Sequence, residues 1–129
     1  MLGIGPVLAA KIIGQTAAVA RFPTRHHYAS YSGTAPIEAS SGDQRRHRLS
    51  RAGNRQLNRA LHLVAVCQIR TRGPGRDFYQ QKLAEKKTSA EARRALKRRL
   101  SDAIYRRLQR DQQAEDRSET ISCLHQTRA

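Results

Sequence analysis

Apolar side chains recur at helical spacing through the middle of the chain. Leu57, Ala60, Leu61, Val64, Ala65 and Gln68 fall at i, i+3, i+4, i+7, i+8 and i+11, which predicts a helix from Arg55 to about Arg70. Val66, Cys67 and Ile69 make it apolar around much of its circumference, so it is expected to be the central core helix, with Cys67 as a small core hydrophobe. A second stripe, Ala92, Leu96, Leu100, Ala103, Ile104 and Leu108, follows the capping-box pattern Thr88-Ser-Ala-Glu91 and predicts a long amphipathic helix.

Shorter elements flank these two. Pro6 suits the first position of a helix, Leu8 and Ile12 share a face with Ile4 or Val7, and Gly14 is the expected stop. Phe22-Pro23 breaks the chain. Thr24 can then cap a helix to about Tyr31, with Tyr28 and Tyr31 on one side and Gly33 ending it. Arg72-Gly-Pro-Gly-Arg76 is a sharp break. Asp77 is the expected cap of a helix to about Glu85 that buries Phe78 and Leu83.

One stretch carries no helical period. From Thr34 to Gly53, Pro36 prevents helix, and Gly42-Asp43 is turn chemistry. Ile37–Ser41 and Arg45–Leu49 fit the two arms of a short β-hairpin. Residues 112–129 are polar and mixed in charge, and read as a disordered tail beyond a domain of residues 1–111. The predicted fold class is mainly α. It is a small helical domain with a helix-hairpin-helix-like turn at its N-terminus, a Ser/Arg loop and a long basic C-terminal helix.

Charge changes this picture most. Lys+Arg is 25 against 10 for Asp+Glu, a formal net charge of +15, and lysine occurs only at 11, 82, 86, 87 and 97. The planar guanidinium fork pairs bidentately with phosphate, so an arginine-rich surface favours nucleic acid. The long helix sets Arg93, Arg94, Lys97, Arg98, Arg99, Arg106, Arg107 and Arg110 around its stripe. Tyr105 is its single aromatic, which favours a nucleic-acid backbone over a membrane surface. Cys67 and Cys123 lie far apart, without disulfide-framework or zinc spacing. No apolar run reaches the roughly 18–20 residues of a membrane span, and the N-terminus lacks a signal-peptide pattern.

The chemistry concentrates in the loop. Ser40, Ser41 and Ser50 stand among Arg45, Arg46, His47 and Arg48. A serine hydroxyl could attack a phosphodiester there, with arginines neutralising the developing charge and a histidine or neighbour taking the proton. Serine and glycine are also ordinary turn residues, and that plainer reading stays open. Arg51, Arg55 and Arg59 recur every four residues and run a basic stripe from the loop onto the next helix. Gly3-Ile4-Gly5 opens the first helix. It either offers backbone N–H groups to a DNA phosphate or merely packs. His26 and His27 are neighbours on a helix and make a poor metal pair. The carboxylates are scattered, with no acidic cluster for a two-metal nuclease site, no phosphate-binding loop and no Gly-x-Ser-x-Gly elbow.

Gly3-Ile-Gly-Pro6, Tyr31-Ser-Gly-Thr-Ala-Pro36, Ser40-Ser-Gly42, Arg48-Leu-Ser-Arg-Ala-Gly-Asn54 and Gln56-Leu-Asn-Arg-Ala-Leu-His62 occur in order. Together they resemble the C-terminal domain of the DEDD transposases of the Piv/MooV type, insertion sequence families 110, 116 and 902. The resemblance covers roughly Leu2 to Arg110. It implies DNA binding at element ends and target, transposition and site-specific recombination, and a bacterial, cytoplasmic, nucleoid-associated setting. It implies homo-oligomers when full length and, in some members, a guide RNA.

The resemblance also implies a serine nucleophile, which falls on Ser41 with Ser40 as the adjacent alternative. Gly3, Gly5, Arg45, Arg46, Arg48, Arg51 and Arg55 are its DNA-binding counterparts. Members carry an N-terminal RuvC-like domain whose acidic residues bind Mg²⁺. That half has no counterpart here, so the resemblance implies a truncated copy with no cofactor of its own, inactive as a fragment. The rival reading is a non-catalytic, basic helical protein that binds DNA or RNA.

Overall fold

A computed structural model describes residues 3–35 and 53–127. Five α-helices carry the described chain: α1 (Pro6–Thr16), α2 (Arg25–Ser32), α3 (Arg55–Arg70), α4 (Pro74–Ala84) and α5 (Ser89–Thr127), with a 3₁₀ turn at Val19–Arg21. The fold is mainly α, with a long C-terminal helix and no strand among the described residues.

The central helix is α3. Leu57, Ala60, Leu61, Val64, Ala65 and Gln68, the positions set by the period, are all buried. α5 lays its stripe against them: Ala92, Leu96, Leu100 and Ile104 are buried, and Leu108 packs on the same core. α1 and α4 flank α3, and α2 packs chiefly on α5. Four of the six aromatic residues gather between the 3₁₀ turn, α2 and α5. Phe22 meets Tyr28 edge-on at 5.2 Å, and Tyr28 stacks on Tyr105 at 5.7 Å. Their polar ends are satisfied inside: the Tyr28 and Thr16 hydroxyls share a bond of 2.9 Å, and Tyr105 Oη donates to Phe22 O at 2.6 Å. Burial raises the Tyr28 phenol pKa, against the lowering effect of the Thr16 bond and with Tyr31 adding to the rise.

Most element ends follow the local chemistry. Thr24 caps α2 through a bond from His27 N, and Gly33 ends it at φ +74°. Asn54 caps α3, and Thr88 Oγ1 accepts from Glu91 N at the start of α5.

Four expectations are corrected. α1 runs past Gly14 to Thr16, which places the Thr16 hydroxyl on Tyr28. α4 starts at Pro74 rather than Asp77, because proline at the first helical position needs no N–H partner. Leu83 is 38% exposed, while Phe78 is half-buried. Cys67 is an exposed free thiol, because what stands over it is Gly3, which has no side chain to cover it.

The stretch from Gln112, read as a disordered tail, continues α5 to Thr127. A helix already nucleated by packing extends cheaply through good helix formers. Local pairs accompany it: Arg107 with Asp111, and Gln112 with Asp116. The hairpin arms Ile37–Ser41 and Arg45–Leu49 lie outside the described residues. No helix among the described residues is long and apolar enough to cross a membrane.

Candidate functional site

Ala35 and Gly53, the residues on either side of 36–52, both lie at one place, between the C-terminal end of α2 and the first turn of α3. Thr34 N and Ala35 N both donate to Ala29 O, at 2.8 and 3.2 Å, which fixes the outgoing strand of chain. On the return, Asn54 N donates to Tyr31 O at 2.6 Å. A Cβ on Gly53 would stand 3.3 Å from Tyr31 O, so the two ends approach closely enough to favour glycine there.

Asn54 organises this anchor. Its Oδ1 accepts from Leu57 N at 3.0 Å, capping α3, and its Nδ2 donates to Gln15 Oε1 and Tyr31 Oη, each at 2.9 Å. Tyr31 Oη in turn donates to Gln15 O at 3.1 Å. The Arg21 guanidinium lies 4.7 Å from the Tyr31 ring centroid and 4.8 Å from that of Phe22. The bond from Asn54 lowers the Tyr31 phenol pKa. Partial burial works against that shift, and Arg21 works with it.

The N-terminus of α3 therefore points at the anchored ends. No acidic residue occupies its first turn, so the positive end of the helix dipole is not neutralised by its own side chains. Arg55 and Arg59 are exposed on its first two turns, with no ion pair among the described residues.

A second anchor sits one turn along α3. Asn58 Nδ2 donates to Gly33 O at 3.3 Å, and its Oδ1 accepts from Lys97 Nζ of α5 at 2.7 Å. A Cβ on Gly33 would collide with the Asn58 amide. Asn58 thus ties the end of α2, the start of α3 and the middle of α5 together. His62 and Arg93 flank it and are half-buried. Behind it, Ser32 Oγ and Ser101 Oγ share a buried bond of 3.3 Å between α2 and α5. Arg98 reaches His26 Nδ1 at 2.7 Å and lies within ion-pair distance of Asp102 at 3.1 Å.

Of the residues singled out from sequence, Arg55 stands at the anchored end of the bundle. Gly5 is the exposed N-cap of α1 with open space around it. Gly3 is seated against α3 at φ +87°, where a Cβ would stand 3.2 Å from Cys67 Cβ and 3.3 Å from Val64 O. Its conformation and close approach account for the glycine by packing. Ser40, Ser41, Arg45, Arg46, Arg48 and Arg51 lie outside the described residues. The roles of Asn54 as a hub and of Asn58 as a bridge were missed. Their signal was two asparagines four residues apart on one helix face. Among the described residues no three His, Cys, Asp or Glu side chains come together to hold a metal ion.

Known proteins give this anchored loop a context. Residues 1–80 match the model of the Transposase IS116/IS110/IS902 family. The chain belongs to that family. It is 34% identical over 106 residues to the insertion element IS110 uncharacterized 43.6 kDa protein of Streptomyces coelicolor, covering 81% of this chain and 26% of that protein. It is 31% identical over 107 residues to the insertion element IS116 uncharacterized 44.8 kDa protein of Streptomyces clavuligerus, covering 81% of this chain and 27% of that one. The chain thus spans about a quarter of the length of these curated relatives. No solved structure matches it. Within the IS116/IS110/IS902 family match fall α1, α2, α3, the anchored segment and most of α4, so the matched region contains both asparagine anchors.

Proposed function

We propose that this transposase-family chain is the DNA-binding part of an insertion-sequence recombinase, and that its 36–52 segment presents the nucleophilic serine. Ser41 is the assigned nucleophile and Ser40 its alternative. The observation that carries the reading is the anchored base: Thr34 and Ala35 before a serine- and arginine-rich segment, and Asn54 after it, are hydrogen-bonded to the C-terminal half of α2, beside the start of α3, whose first two turns bear Arg55 and Arg59 and whose first turn bears no acid. A strand-transfer site needs its nucleophile on a rigid support and needs fixed positive charge for a phosphodiester.

In the reaction, the serine oxygen forms a bond to phosphorus while the bond from phosphorus to one deoxyribose oxygen breaks. The hydroxyl proton passes to a base, and the departing oxygen takes up a proton. Arg45, Arg46, Arg48 and Arg51 belong to the same reading as phosphate partners. So do element-end and target DNA, homo-oligomeric assembly, a guide RNA and a partner domain that supplies acidic metal ligands.

The test uses element-end DNA with this chain and with a full-length family protein carrying the same segment. A covalent protein–DNA adduct formed by the full-length protein and lost on Ser41→Ala is the expected result. No adduct from the full-length protein overturns the serine assignment. Duplex binding by both proteins without an adduct favours the non-catalytic reading.

A further inference from the structure

We propose that Lys97, Arg93 and His62 form a phosphate-binding subsite where α3 meets α5, and that it takes one backbone phosphate of DNA beside the base of the 36–52 segment. The subsite rests on the nucleic-acid reading above and adds to it residues outside the loop.

The argument starts with how Lys97 is held. A surface lysine ordinarily extends its ammonium into water. Lys97 is half-buried, and its Nζ is fixed 2.7 Å from Asn58 Oδ1. Asn58 cannot swing away, because its other end donates to Gly33 O. An ammonium has three donors. One goes to a neutral amide, and the others have no partner among the described residues.

The neighbours add positive charge. Arg93 lies one turn before Lys97 on α5, and His62 lies one turn after Asn58 on α3. Partial burial lowers the His62 pKa, and Lys97 and then Arg93 lower it further, so both cations bear on the ring. Burial and then Arg93 push Lys97 down in the same way. The ion pairs among the described residues are elsewhere: Lys82 with Glu85, Arg98 with Asp102, and Arg107 with Asp111. Gathering half-buried cations around a neutral amide is costly, and an anion relieves it.

A solvated basic face explains Arg94, Arg106 and Arg110, which are exposed. It does not explain a half-buried lysine whose ammonium is held on Asn58. A phosphate does, because it accepts the free ammonium donors and a guanidinium fork together. The position also fits, since the Gly33 carbonyl that Asn58 holds lies two residues before the last described residue of α2's exit.

The full chain is titrated with fluorescent duplex DNA across a salt series, as wild type, Lys97→Met and the exposed control Lys87→Met. Losing one phosphate contact lowers the slope of log affinity against log salt by about one. Affinity is expected to fall roughly tenfold, as for one charge-assisted hydrogen bond. Lys87→Met keeps the wild-type slope. A Lys97→Met slope equal to wild type overturns the subsite and leaves the nucleic-acid reading standing.

Should Lys97→Met fail to fold, the wild type decides through the His62 ring titration followed by NMR. Bound duplex is expected to raise the ring pKa, and an unchanged value overturns the subsite. A wild type that binds no duplex overturns the nucleic-acid reading. Inorganic phosphate then judges the site alone: a raised His62 pKa keeps an anion site, and none removes it.

Discussion

Asn54 makes hydrogen bonds to Leu57, Gln15 and Tyr31 through its side chain and another to Tyr31 through its backbone. Sixty residues later, α5 runs from Gln113 to His125 with every residue exposed. Both regions are rich in polar side chains. At the α2–α3 end those groups bond across elements far apart in sequence, and each bond is fixed by packing behind it. In distal α5 Gln112 bonds to Asp116 and Thr120 to Asp116, in each case four residues apart. Charge divides the same way. Residues 93–110 hold eight Lys and Arg against Asp102 alone, whereas residues 111–129 hold Asp111, Glu115, Asp116 and Glu119 against Arg117 and Arg128. The first region is a built support for positive charge, and the second is a helix sustained by its own neighbours.

The largest expected effect comes from removing the packing behind the anchor. Leu61 is fully buried on α3. Leu61→Ala is expected to cost about 3 kcal/mol in urea unfolding. Ile121→Ala in distal α5, where the side chain is 58% exposed, is expected to cost less than about 0.5 kcal/mol. Equal losses would show that distal α5 packs on something.

Next is the anchor itself. Asn54→Ala removes the α3 cap and two cross-element bonds, and is expected to cost about 2 kcal/mol. A second readout separates a cap from a hub. The Tyr31 phenol pKa, lowered by Asn54, should rise toward its ordinary value in ultraviolet titration. Stability loss with an unmoved phenol would reduce Asn54 to a cap. Gly33→Ala should cost about 1–2 kcal/mol, from the left-handed backbone and the displaced Asn58 amide.

A smaller effect follows from pH. The folded state holds His62 below its ordinary pKa, so the unfolded chain binds the extra proton first as pH falls. This contribution to stability is therefore present above the ordinary histidine pKa and is lost as pH falls through that value toward the folded one. Wild type should lose stability on acidification through that window, and His62→Gln should lose less. The same slope in both would remove His62 as the cause.

What the sequence showed depended on the range of the interaction. The α3 face, the Thr24 cap and the Gly33 stop are set by neighbours within a turn or two, and period and cap chemistry read them directly. Cys67 was expected in the core, but what stands over it is Gly3, which is far away in the chain and has no side chain to cover it. Asn58 was invisible for the same reason: its partners are on α2 and α5, and a polar residue on a helix ordinarily faces water. For Ser40, Ser41 and the loop arginines, the motif order and the family resemblance supplied the roles. Spacing alone did not separate a nucleophile from a turn serine.

The smallest expected effect is also the sharpest test of the contrast. Ending the chain after Asp111 removes a segment with no buried residue among the described ones and with three carboxylates against two arginines. Unfolding free energy should change by less than about 0.5 kcal/mol, because no core contact is lost. Duplex affinity should stay within about twofold, since the phosphate contacts are assigned to the α2–α3 end and its α5 neighbours. In the intact chain, amide exchange should distinguish the halves directly, with α3 protected to the level of global unfolding and residues 113–125 opening far more readily. Slow exchange there, or a truncated chain that binds DNA much more weakly, would mean that distal α5 has a partner surface of its own.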